Sequence, residues 1–338
     1  MTRAEIIRHF NSDNSAELFA EADRVRLEYC GEAVHLRGLI EFSNVCARDC
    51  WYCGLRRSNR QIERYQMAPA EILAAARAAH QLGYKSIVLQ SGENDCYPLG
   101  DLTSLIAEIK QDTDLAVTLS IGEKTAAQYA ALKAAGADRY LLRFETSSEK
   151  IYQALKPDSS LKERLRCLSI LRDAGFQVGS GIMVGLPGQS VETLAEDILL
   201  LEQLDLDMIG IGPFIANPLT PLKDAASGTL AMTLKTVALL RIITKNTHIP
   251  ATTAMGSIDP QGRQKALSCG ANVLMPNVTP TRHRQHYQLY PGKICLNDAP
   301  EDCLFCVEGM ARSLGREIGK DQGHSYKIKG VKGAGRPG

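Results

Sequence analysis

Short apolar runs alternate with amphipathic stretches along most of the chain. The runs span 36–42, 86–90, 115–120, 139–143, 178–184, 208–212, 250–254 and 272–275. Between them lie helix-period patterns at 69–82, 124–135, 161–174, 191–204, 234–244 and 261–268. Gly83, Gly136, Gly175 and Gly270 close several of these, as expected where a helix end needs positive φ. Strands that alternate with helices require crossover connections, hence a parallel sheet, and near-continuous apolar character buries both of its faces. Eight such units predict an α/β fold closed as a (β/α)8 TIM barrel. An open doubly wound sheet is the alternative, but no GxGxxG follows the first strand, and Gly210-Ile211-Gly212 is an incomplete match. The expected organisation is a helical lead-in over 1–35, the barrel over 36–280 and an extension over 281–326. The tail at 327–338, rich in Gly and Lys, is expected to be disordered.

Composition narrows the function. The chain has 338 residues, 44% hydrophobic and 23% charged, which suits a globular protein with a large core. Its 39 Lys and Arg against 38 Asp and Glu leave a formal charge of +1, which argues against a generally basic nucleic-acid binder. No apolar run is long enough to span a bilayer. Early acidic residues and the lack of an apolar stretch near Met1 argue against a secretory signal, so a cytoplasmic location is expected.

The ten cysteines change the picture more. Six fall in two tight groups, 46/50/53 and 295/303/306. A disulfide framework belongs to short secreted chains, and clustered thiols in a long cytosolic one point to metal. Cys46, Cys50 and Cys53 are spaced C-x3-C-x2-C directly after the first predicted strand. Three thiolates on one loop suit three irons of a 4Fe–4S cubane and leave the fourth iron open. A structural zinc site would normally close with a fourth ligand, and this loop offers none at short spacing.

This loop resembles the signature of the radical S-adenosylmethionine enzymes, with Tyr52 as the aromatic residue before the last cysteine. The resemblance covers about residues 36–320 and implies a barrel of the radical S-adenosylmethionine type. It also implies that the open iron chelates the amino and carboxylate groups of S-adenosylmethionine, which the reduced cluster splits into methionine and a 5′-deoxyadenosyl radical. Further cofactor contacts are implied for Gln90, Ser91 and Glu93, where the family has a Gly-Gly-Glu-like motif, and for Ser120 and Met208. Glu145 is placed to accept ribose hydroxyls or the ammonium, and Arg164 to clamp the methionine carboxylate in a two-pronged fork. Gly185-Leu186-Pro187-Gly188 is placed to let the backbone approach the adenine. For the charged residues the bland alternative is a surface ion pair.

Several stretches, among them Val88–Glu93, Met183–Gln189, Gly210–Ile215, Ile249–Gly256 and Tyr287–Cys295, resemble the HydE type of iron–iron hydrogenase maturase. Phe144 departs from that pattern, where histidine is expected. The resemblance implies a role in assembling the di-iron subsite of the hydrogenase H-cluster, on a small cysteine-bound iron carbonyl cyanide complex. Implied partners are an external electron donor, a tyrosine-lyase maturase and a GTPase scaffold. Thr118, Arg143, Thr252 and Thr253, at or beside strand ends, are the candidate substrate residues: hydroxyl donors and a fixed cation suit an anionic complex. The alternative for the threonines is strand packing. Cys295, Cys303 and Cys306 are the candidate ligands of an auxiliary 2Fe–2S or 4Fe–4S cluster. Two other enzyme readings remain, an amino-acid mutase resembling methylornithine synthase and a biotin synthase-like enzyme. A non-catalytic iron–sulfur carrier is the rival from outside catalysis.

Overall fold

The computed structural model describes residues 1–328. Its strands are β1 (Ala33–Leu36), β2 (Gly38–Ser43), β3 (Ser86–Ser91), β4 (Ala116–Ser120), β5 (Arg139–Leu141), β6 (Gln177–Val184), β7 (Met208–Pro213), β8 (Val273–Leu274) and β9 (Glu317–Ile318). β2 to β7 form a parallel sheet in chain order. Single parallel bridges close it: Met208 to His248, Ile211 to Ala251, Pro250 to Val273, and Asn277 back to Leu39. The barrel expected from the apolar runs is therefore present, with two corrections. The run at 250–254 is not a full strand; it contributes two bridged residues and then enters the helix Thr253–Ile258. The first run is divided at Arg37 into β1 and β2, yet both stretches pair with 273–277 in one register, and β1 pairs with β9 as well.

Local chemistry accounts for the helix bounds. Pro69 opens the helix Pro69–Gln81, where its missing N–H costs nothing, and Glu71 accepts from the Ala68 amide. Thr125 and Gln128 cap the helix Ala126–Ala134 reciprocally. The helix Leu230–Thr244 is apolar on nearly every side because the N-terminal helix Ala16–Cys30 covers its outer face. No helix among the described residues is long and apolar enough to cross a membrane.

Residues 319–328 strap the floor of the barrel. Arg139 donates to Gln322 O (2.6 Å), the Ser325 amide to Gln177 Oε1 (2.8 Å), and His35 shares a hydrogen bond with the Tyr326 hydroxyl (3.0 Å). Lys327 donates to Asp205 Oδ1 at 2.6 Å, and the remainder of the expected disordered tail, 329–338, lies outside the described residues. Beneath the strap, burial holds His248 neutral, well below its ordinary pKa. It also lowers His35 to about 4 despite the opposing pull of Asp321. A histidine with a depressed folded-state pKa contributes stability that is complete above about pH 6.5 and is lost as pH falls toward the folded value. Lowering the pH from 7 to 4 should therefore remove about 3 kcal/mol through His35 alone. Denaturant titrations across that range check this, and His35→Gln should flatten the slope. An unchanged slope in the variant would remove His35 from the account.

Candidate functional site

The loop after β2 carries Cys46, Cys50 and Cys53 and is pinned from several sides. Asn44 donates to Glu63 O and His286 O, Arg64 to Asn44 O and Leu55 O, and Arg56 makes a two-pronged pair with Asp49. The loop closes against the end of β3 through Ala47 N to Glu93 O (2.7 Å) and Gly92 N to Ser43 O (3.0 Å). That approach requires glycine: a Cβ on Gly92 would lie 2.2 Å from Val45 O and 2.9 Å from Cys46 Cβ. Burial pushes all three thiols up, Cys53 most, with its neighbouring thiols adding to the effect. Metal binding would displace those protons.

A cavity of about 350 Å³ opens above the barrel, and the three thiols line it. Of the sequence-predicted residues, Tyr52, Gln90, Ser91, Glu93, Ser120, Arg143, Glu145, Arg164, Met208, Thr252 and Thr253 line it as well. Thr118 does not. It shares its strand face with Ser120 but lies deeper, fully buried, with no hydrogen-bond partner for its hydroxyl. Met208 sits at the floor, where its thioether accepts from Arg37 (2.7 Å). Thr252 donates to Ile211 O (3.0 Å), so its hydroxyl is already engaged in strand packing. Phe144 is buried in the main core and is not among the cavity residues, unlike its neighbours Arg143 and Glu145.

Arg164 is neither solvent-exposed nor free for a ligand alone. It is 3% exposed and lies 3.3 Å from Glu93 Oε2 and 2.9 Å from Glu123 Oε1, while Arg48 bridges the same two carboxylates from the cysteine loop. Burial would raise the Glu93 carboxyl, but the charges of Arg164 and Arg48 outweigh it and hold Glu93 below the ordinary range. Sequence reasoning missed Arg48 and Glu123. Arg48 was in view inside the cysteine motif, whereas nothing local marks Glu123 as its partner.

Glu145 adopts a left-handed backbone (φ +68°), uncommon for a non-glycine residue and frequent where function holds strain. The turn is held by Asp197, which accepts from the Ser147 amide (2.5 Å), the Ser147 hydroxyl (2.6 Å) and Gln189 Nε2 (3.0 Å). Gln189 in turn accepts from the Gly185 amide, tying the glycine-bearing loop after β6 to the Glu145 turn. Arg143 lies 2.9 Å from Glu145 Oε2, but the contact is misaligned as a hydrogen bond. Glu145 Oε2 and Arg143 Nε are both left as unsatisfied buried atoms at the cavity wall. Arg143 donates through Nη2 to Ile182 O, so the acceptor Oε2 and the donor Nε left over beside this ion pair suit a polar ligand carrying hydroxyl, ammonium and carboxylate groups.

Cys295, Cys303 and Cys306 line a smaller cavity of about 160 Å³. Its wall is shared with the larger one at Leu39, Thr253, Met275 and Lys293. Lys293 forms a buried ion pair there with Glu41, another pair that sequence reasoning did not find. The neighbouring Cys295 and Cys303 thiols shift each other in opposite senses, Cys303 down to about 7 and Cys295 up. Cys295, Asp298 and Cys303 hold their ligand atoms within 4.8 Å of one another, the spacing of a single-ion site; among the described residues no other such group occurs. Cys306 is exposed and stands outside that trio, and Asp298 was not foreseen. Cys46, Cys50 and Cys53 do not converge in this way, which fits ligands spread around a cluster better than ligands of one ion.

The radical SAM superfamily model matches residues 40–201. Over 311 residues, 92% of this chain and 89% of the relative, the chain is 51% identical to the FeFe hydrogenase maturase subunit HydE of Thermotoga maritima. The chain belongs to the HydE family of radical SAM proteins. As a HydE-type maturase it is an enzyme of FeFe hydrogenase maturation, and membership carries a 4Fe–4S cluster and S-adenosylmethionine as cofactors. The 3-methylornithine synthase of Methanosarcina acetivorans is more distant, 28% identical over 76% of this chain and 73% of its own. The fold is shared with the crystal structure of methylornithine synthase PylB, with a TM-score of 0.83, 23% identity and 94% of each chain covered. It is shared as well with the maturase HydG of Carboxydothermus hydrogenoformans, with a TM-score of 0.78, 20% identity, and 94% of this chain and 75% of that one covered. In the HydE-family chain the cysteine loop, the Glu93 network and the Glu145 turn all stand at the C-terminal ends of strands, where barrel enzymes build their sites.

Proposed function

We propose that Cys46, Cys50 and Cys53 hold the 4Fe–4S cluster and that S-adenosylmethionine lies across the mouth of the large cavity. Glu145 accepts from its ribose or ammonium, and Arg164, with Glu93 and Arg48 bracing it, faces its carboxylate. When bound and reduced, the cluster supplies the electron that splits the sulfonium to methionine and a 5′-deoxyadenosyl radical. The chain's own contribution is to orient the two ends of the cofactor and to keep water away from the carbon that reacts. Below it, Arg143 and Thr253 present a cation and a hydroxyl to a small anionic, cysteine-bound iron carbonyl cyanide complex. Thr252 and Thr118 shape the wall and floor of that space. A tyrosine-lyase maturase supplies the complex, a GTPase scaffold receives the product, and an external carrier supplies the electron. Cys295, Cys303 and Cys306 hold an auxiliary 2Fe–2S or 4Fe–4S cluster that the cleavage does not need.

The observation that carries this reading is a single cavity bounded by three clustered thiols and by unsatisfied buried groups at Glu145 and Arg143, in a chain half identical to a HydE protein. The test is anaerobic maturation of apo-hydrogenase by the remaining maturation proteins, with and without this chain. Hydrogenase activity should require it. Replacing Cys295, Cys303 and Cys306 by alanine should lower the iron content while 5′-deoxyadenosine formation survives. Turnover of lysine with no effect on maturation would replace this reading by a methylornithine synthase-like mutase.

A further inference from the structure

If the first cysteine loop holds a redox cluster, each cleavage consumes one electron that must arrive from outside the barrel. Trp51, the chain's one tryptophan, stands between Cys50 and Tyr52 with 39% of its surface exposed. Its backbone is not loose: the Trp51 amide donates to Leu155 O at 2.9 Å, which seats this part of the loop on the end of the helix Glu149–Leu155. Trp51 is thus a partly exposed aromatic side chain held in a fixed place one residue from a thiol of the first group.

The stretch around it is basic in composition, with Glu63, 76% exposed, and Asp158 standing among its arginines. From Cys46 to Arg64 the chain carries five arginines against two carboxylates. Three of the five are consumed internally: Arg48 by Glu93 and Glu123, Arg56 by Asp49, and Arg64 by backbone carbonyls. Arg57 and Arg60 are left facing solvent. Arg57 is 60% exposed and touches only Asp158, at 3.9 Å; Arg60 has no ion-pair partner among the described residues. They stand on the same folded loop as the indole. The Arg57 amide donates to Arg48 O, and Asp158, beside Arg57, accepts from the Asp49 amide and lies three residues from Leu155. Arg60 follows the turn at 56–59, which folds back on Asp49 and Gly54.

We propose that the face made by Trp51, Arg57 and Arg60 is the docking site of an acidic one-electron carrier protein that reduces the first cluster; the proposal rests on the cofactor reading above. The carrier is oxidised by one electron and the cluster reduced by one, with no atom transferred. An apolar anchor flanked along the loop by two exposed arginines suits such a partner. The charges steer encounter and raise the association rate, while the small contact area lets the spent carrier leave. Tryptophan and arginine are also the residues in which interface energy concentrates.

The test measures 5′-deoxyadenosine formed by the reconstituted holoenzyme with two reductants, dithionite and reduced flavodoxin, the latter an acidic carrier. Trp51→Ala and the double variant Arg57→Glu/Arg60→Glu should keep their iron content and their dithionite-driven rate. With subsaturating flavodoxin their rates should fall at least about tenfold through a higher KM for the carrier. Raising the ionic strength should weaken the wild-type reaction with flavodoxin and not with dithionite. Unchanged flavodoxin kinetics in both variants would overturn the proposal, and so would an equal loss with both reductants, because the residues would then be shaping the cluster. Impaired hydrogenase maturation with normal flavodoxin kinetics would assign the face to another protein and overturn it too. A wild-type protein that cleaves with neither reductant would overturn the cofactor reading and the docking face with it.

Discussion

Replacing Cys46, Cys50 or Cys53 by alanine should abolish 5′-deoxyadenosine formation while leaving the barrel folded. Each thiol sits at a different point of a loop whose shape is set by other residues. Asn44 and Arg64 tie its base, Arg56 and Asp49 lock its middle, and Gly92 lets it close on β3. None of those contacts uses sulfur, so circular dichroism and thermal unfolding of the variants should remain close to wild type. The cluster depends on all three thiols, because no spare cysteine lines the cavity. Iron bound by the first site should fall by about four atoms per chain. The loss in rate should be complete rather than partial, because without the cluster no electron reaches the sulfonium. Retention of cleavage in any single variant would show that the cluster is held elsewhere. The second trio would then be the first place to look.

Arg164→Ala should be the most damaging change away from the thiols, and it should act in two ways. The guanidinium sits between Glu93 and Glu123, and its removal leaves Arg48 alone against two buried carboxylates. Breaking a buried pair from one side costs about 3–5 kcal/mol, because the remaining charge is left desolvated. In the wild type, Glu93 is held low by Arg164 and Arg48, so its contribution to stability is present above the unfolded carboxylate pKa and lost as pH falls through the folded one. In the variant Arg48 is left as the main opponent of burial, so Glu93 should be held less low. The destabilisation should therefore be largest at neutral pH and shrink in acid, which chemical denaturation at several pH values would reveal. The second effect falls on the cofactor. Loss of one charged hydrogen bond costs about 1.5–3 kcal/mol, a 10- to 100-fold weaker affinity for S-adenosylmethionine. Arg164→Lys should recover part of both losses, since an ammonium restores the charge but not the planar fork. Titration of the reconstituted cluster followed by EPR measures the affinity. An unchanged dissociation constant in Arg164→Ala, together with the stability loss, would restrict Arg164 to bracing Glu93.

What the chain determines by itself is what short-range physics can encode. Alternation of apolar runs with helix-period stretches specifies which segments become strands and which become helices, because burial on both faces or on one stripe is a local property of the side chains. The spacing of Cys46, Cys50 and Cys53 is local as well: three thiols within eight residues meet in almost any loop that connects a strand to a helix. Membership of a family could be read from the same stretches. Pairings across the barrel could not. The run at 250–254 has a strand's composition, yet it yields only bridges, because the chain turns into a helix at Thr253 to complete the rim. Arg164 looked like a ligand residue or a surface charge. Its burial between Glu93 and Glu123 depends on β3, the loop after β4 and the helix Leu161–Asp173 arriving at one point. Thr118 and Ser120 are alike in sequence, two residues apart on one strand face; only the depth of the cavity floor separates the one that lines it from the one that does not. Asp298 joins Cys295 and Cys303 because a loop folds back on a helix, and no spacing rule marks it. Electrostatic partnership and depth are properties of where distant segments meet, so tertiary packing decides them.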